Sequence, residues 1–149
     1  NELEKGCLLD LVNHQLKDVG RIINMAFTPL SIAAQFGHVQ DVLALIEAGA
    51  DINMCNHNGS TPLHMSAQNG HDGVMKALIA AGVDINKTDD IGWTPLLTAT
   101  EHGHETTVGI LIEAGADTNK ASHSGMTPLF NAKLKGHETI LQMLTDLRM

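Results

Sequence analysis

The sequence predicts an all-α repeat solenoid, a one-dimensional stack of short helix pairs, and three observations carry that prediction. The tripeptide Thr-Pro-Leu begins at Thr28, Thr61, Thr94 and Thr127, each 33 residues after the last. Nine residues beyond each Thr stands a Gly-His pair, at Gly37-His38, Gly70-His71, Gly103-His104 and Gly136-His137. Four copies in register are the signature of a repeat architecture. The third observation is an aromatic share of 3% with no tyrosine. A core built from Ala, Leu, Ile, Val and Met favours thin, closely packed helices.

Each copy reads as two helices and a connection. Proline suits the first turn of a helix, where its missing N–H costs nothing, and the preceding Thr hydroxyl can cap a free backbone donor. In the second copy this places a helix over Pro62 to Asn69, with Leu63, Met65 and Ala67 on its apolar side and Gly70 as its stop. A second helix, Asp72 to Ala81, offers Met75, Leu78 and Ile79 at helical spacing and ends at Gly82. The segment that follows, "VDINKTDDIGW", is poor in helix formers and rich in Asp, Asn and Gly, so it is expected to be a loop or hairpin. Helices of roughly two turns are not stable alone. Each copy must therefore bury its faces on its neighbours, and stability resides in the interfaces between copies.

The period divides one domain, 1–149, into copies at 25–57, 58–90, 91–123 and 124–149. Shifting the chain by 23 residues aligns His14–Ile23 with Gly37–Ile46, so residues 1–24 are expected to form a degenerate N-terminal cap with a shortened connection before Phe27. In the last copy Thr145 stands where the others carry Ile46, Ile79 and Ile112, and Lys133 stands where they carry Ala34, Ala67 and Thr100. These polar replacements suggest a C-terminal cap, which stacked arrays require.

The 33-residue period, "TPLH" at Thr61 to His64, the Gly-His pairs and the "AGAD" and "AGVD" turns ending at Asp51, Asp84 and Asp117 together resemble the ankyrin repeat over residues 25–149. The resemblance implies antiparallel helix pairs, each with a projecting finger, in a curved stack whose fingers and first helices line a concave face. It also implies a structural role for His38, His71, His104 and His137, each hydrogen-bonding toward the Thr of its Thr-Pro-Leu and nearby backbone, beside the capping residues Thr28, Thr61, Thr94 and Thr127. A Leu eight residues before the finger Asn, as at Leu45/Asn53, Leu78/Asn86 and Leu111/Asn119, matches the spacing at which ankyrin repeats of animal cells can be hydroxylated on that Asn. The turn gives those Asn residues a sufficient structural reason as well.

Composition narrows the function. The chain is 43% apolar and 17% charged, as folded soluble proteins are. No run reaches the roughly 20 apolar residues that span a bilayer, so no membrane association is expected. Cys7 and Cys55 are too few for a disulfide scaffold, and no leader pattern is evident, which points to an intracellular location. A formal net charge of -8 with no basic stripe argues against nucleic acid and for a basic or neutral protein partner of a monomeric domain.

Nine histidines invite a metal or acid/base reading. The four periodic ones sit on packed elements about 10 Å apart, whereas ligands of one zinc each lie about 2 Å from it. They cannot share an ion, and no metal or cofactor is expected. Cys55 with His57 two residues on lacks a third group to orient the base. The glycines are turn glycines, not a phosphate loop, and "NGS" at Asn58 to Ser60 reads as a hairpin turn. No catalytic residue is assigned.

Binding is what remains, and the places where copies differ are where it is expected. One row precedes each Thr: Phe27, Ser60, Trp93 and Met126. Another precedes each Gly-His: Gln35 and Phe36, Gln68 and Asn69, Glu101 and His102, Leu134 and Lys135. Finger tips add His57, Asn58, Asp90, Ile91, His123 and Ser124. Phe36, Ile91, Trp93, Met126 and Leu134 would suit an interface with apolar anchors. Trp93 either contacts the partner or packs over its own finger, and Phe27 is expected to be buried. The expected function is a non-catalytic protein-interaction module. The alternative is the targeting arm of a larger enzyme or bacterial effector, which the length of the full reading frame would distinguish.

Overall fold

A computed structural model describes residues 28–147. The proposed cap at 1–24 and Phe27 lie outside them. The described residues form eight helices in four pairs: α1 Pro29–Phe36 and α2 Val39–Glu47, α3 Pro62–Asn69 and α4 Asp72–Ala80, α5 Pro95–Glu101 and α6 Glu105–Glu113, α7 Pro128–Lys135 and α8 Glu138–Asp146. No strand occurs among them.

Local chemistry sets the boundaries. Each first helix starts at its Thr, in extended backbone, whose hydroxyl oxygen accepts the N–H three residues on, at Ser31, His64, Leu97 and Phe130, with Pro in the first turn. Three of the four close on a left-handed glycine, Gly37, Gly70 or Gly136; in α5 the helix ends at Glu101, His102 takes the C-cap, and Gly103 follows at φ 72°. Only glycine takes that conformation without strain.

First helices pack on first helices and second on second, α1 to α3 to α5 to α7 and α2 to α4 to α6 to α8. The first-helix layer is the more closely packed of the two. Small residues permit this approach: Ala34, Ala67 and Thr100 sit at equivalent places and are fully buried. Between the layers lies one continuous core of Leu30, Leu63 and Leu96 from the first helices with Val42, Leu45, Met75, Leu78, Val108, Leu111, Ile140 and Leu144 from the second. Each such side chain contributes about 1.5–3 kcal/mol by leaving water. Lys133 and Thr145, at the outer end of the last pair, are exposed.

Candidate functional site

The seams between copies fix the framework against which the variable positions stand. At each seam a Gly-His histidine reaches back to the preceding copy. Nε2 of His71 lies 3.0 Å from the carbonyl oxygen of Gln35, that of His104 2.8 Å from Gln68, and that of His137 3.3 Å from Glu101. Because a carbonyl only accepts, each Nε2 carries the proton. These rings also lie against the preceding glycine: a methyl group on Gly37, Gly70 or Gly103 would come within 2.7, 2.9 or 2.7 Å of the next copy's imidazole. The partner expected from the family resemblance, the Thr hydroxyl, is therefore corrected. A bond within one copy is replaced by one spanning 36 residues.

The Thr hydroxyl is taken instead by His64. Its Nδ1 accepts from the Thr61 N–H at 3.1 Å and stands 2.8 Å from Thr61 Oγ1, while its Nε2–H donates to the Trp93 carbonyl of the next copy at 2.8 Å. The residue is 2% exposed. Burial outweighs the Trp93 carbonyl and holds its pKa below the ordinary histidine value, so the ring is neutral near pH 7.

Fingers are built by short polar side chains. Asn56 Oδ1 accepts from the N–H groups of Asn58 and Ser60, Asp89 Oδ1 from those of Ile91 and Trp93, and Ser122 Oγ from that of Met126. Each finger closes through two backbone bonds, as from Asn56 N–H to the Ser60 carbonyl at 2.9 Å and from Gly59 N–H to the Asn56 carbonyl at 3.0 Å. Adjacent fingers are then joined: Asp90 N–H donates to the Asn58 carbonyl at 3.0 Å and His123 N–H to that of Ile91 at 3.1 Å. At their bases Asn53 and Asn86 accept from the N–H groups of Asp84 and Asp117 at 3.0 and 2.8 Å. Asn56, Asp89 and Ser122 were not singled out in the sequence, although Asx and Ser turn chemistry marks such places.

Against this framework the variable positions fall into three groups. Phe36, Ile91 and Leu134 are open to solvent, at 61%, 60% and 62% exposure, and so are Gln68, Asn69, His102, Lys135, His57, Asn58, Asp90 and His123. Trp93 and Met126 are half-buried beside their fingers. Glu101 is tied down: Asn131 donates to Oε2 at 2.6 Å and Lys135 Nζ lies 2.9 Å from Oε1. Burial pushes its carboxyl up, but the bonds from Asn131 and Lys135 outweigh this and its pKa ends below the ordinary value. His102 donates from Nδ1 to the Thr98 carbonyl at 3.0 Å, and its ring stacks on that of His104 with centroids 6.2 Å apart.

Among the described residues no three His, Cys, Asp or Glu side chains are grouped as a metal site needs. Cys55 is half-buried on its finger, and no helix among the described residues is long and apolar enough to cross a membrane. No curated protein matches the chain. The family model described as ankyrin repeats in three copies matches residues 3–89 and 73–148. Capped helix pairs, glycine-seated histidines and interlocked fingers, with a model match over nearly the whole length, place this chain in the ankyrin-repeat family.

Proposed function

We propose that this chain binds a partner protein through its first-helix face and finger tips, as a rigid module without catalytic activity. Ankyrin repeats are generally protein-interaction modules, and the family is typically non-catalytic. One observation supports the reading above others: framework groups are buried or bonded across the seams, while Phe36, Ile91 and Leu134, at places that differ between copies, stand at 60% exposure or more. Large apolar side chains held in water on an ordered scaffold are what interface anchors look like before binding. A preformed surface loses little conformational entropy on association, which favours affinity without an ordering step.

The partner is a basic or neutral protein, the domain acts as a monomer, and the scarcity of cysteine fits an intracellular setting. Replacing both Trp93 and Phe36 with Ala tests the assignment against an identified partner. Binding should be abolished while the helical circular-dichroism signal is retained. Binding that survives both changes rules out this face.

A further inference from the structure

The net charge of -8 is not spread over the surface. Among the described residues, the second helices and the turns after them carry ten carboxylates, from Asp41 to Asp146, against the single cation Lys76. The first helices are almost free of charge. α1 and α3 contain no Asp, Glu, Lys or Arg; the one carboxylate of the layer, Glu101, is paired with Lys135 at 2.9 Å, and Lys133 is its one further charge. On the fingers Lys87 and Lys120 balance Asp89 and Asp90. The acidity faces away from the side on which the partner is proposed to sit.

What the first-helix side offers at its α1–α3 end is apolar and amide surface. Ile32 and Phe36 lie one helical turn apart on α1, at 37% and 61% exposure, on the same face. In α3 the same two places hold Met65, half-buried, and Asn69, exposed, with Gln68 exposed beside it. Among the described residues α1 and α3 give this surface no fixed charge to pair with, so a partner's Lys or Asp seated there would lose hydration without compensation. An apolar side chain would gain from Phe36 and Ile32, and peptide groups could bond the amides of Gln68 and Asn69.

We propose that the segment received by this face is uncharged and anchored by one large apolar side chain over Ile32 and Phe36. This narrows the partner class from basic or neutral to neutral at the contact itself, and it rests on the binding function proposed above. The acidic second-helix side acts on solubility and not on recognition.

The test uses a displayed library of random peptides panned on the full chain, followed by affinities of the enriched peptides at low and high NaCl. Peptides with an apolar anchor and no net charge are expected. Their affinity should change less than about twofold with salt, because no charge pair is screened. It should fall at least about tenfold in Phe36→Ala, a loss of roughly 1.4 kcal/mol, and stay within about twofold in the double variant Glu47→Lys/Glu113→Lys on the second helices. Peptides that depend on Phe36 but weaken more than about tenfold in high salt would overturn the uncharged class and leave the binding face standing. Peptides indifferent to Phe36→Ala and lost in Glu47→Lys/Glu113→Lys would overturn the binding face itself. A library yielding no peptide overturns both.

Discussion

His64 is the side chain whose removal should cost most for its size, because it bonds on both sides of one seam. In His64→Ala the Thr61 N–H loses its acceptor inside the protein, a penalty of about 1–3 kcal/mol for an unpaired buried donor. The Trp93 carbonyl keeps its bond from Asp89 and loses only the second, a smaller cost of roughly 0.5–1 kcal/mol. The void left by a ring that is 2% exposed adds about 1 kcal/mol more. Together these give about 2.5–5 kcal/mol, read by urea unfolding at pH 7.5, where a Tm drop of about 10 °C should accompany it. Leu97 fills the same place in the next copy at 0% exposure, so His64→Leu should restore volume but not the bonds and fall between.

The pH dependence provides the sharper test. The folded pKa of His64 is lowered, so the unfolded chain takes up the proton first. Its contribution is complete above about pH 6.5 and is lost as the pH falls through that value toward the folded pKa. The stability gap between the natural chain and His64→Leu should therefore shrink between pH 7.5 and 5.5, the other histidines cancelling in the difference. A cost below about 1 kcal/mol, or a gap that stays constant or widens in acid, would refute the neutral, doubly bonded ring.

Three further outcomes can be checked by the same unfolding measurements. Gly136→Ala meets nothing within 4 Å and should cost only the left-handed strain of about 1 kcal/mol, whereas Gly70→Ala also strikes the His104 ring and should cost at least 1 kcal/mol more. Asn131→Thr, which copies Thr98 into the last pair, removes a buried side-chain oxygen without a partner but also the bond that Asn131 donates to Glu101, which keeps Lys135, and should cost about 1 kcal/mol. Asn86→Ala withdraws the acceptor of the Asp117 N–H at an exposed place and should cost about 0.5–1 kcal/mol.

The elements were legible in the sequence because their signals are local. Thr before Pro, and glycine where the chain must turn left-handed, act within one turn, and the α3 boundaries at Pro62 and Asn69 came out where those residues put them. The bonds between copies were not legible. A period states that His71 and His104 recur, but not that each reaches the carbonyl two residues ahead of the previous copy's glycine. The proposed binding positions are departures from the period, yet Glu101 shows the limit of that signal. It departs from Gln35 and Gln68 in order to hold Asn131 and Lys135 of the next copy. Net charge is a sum over the chain and carries no direction, whereas among the described residues the carboxylates gather on the second helices and the turns after them.

The seam histidines have a consequence for how such a surface changes over generations. Their acceptors are the main-chain carbonyls of Gln35, Gln68 and Glu101, atoms that every residue type supplies. A mutation at any of those three places alters what the face displays and leaves the tie between copies intact. Fastening and display occupy the same residues but different atoms, so new specificities can be tried without loosening the stack.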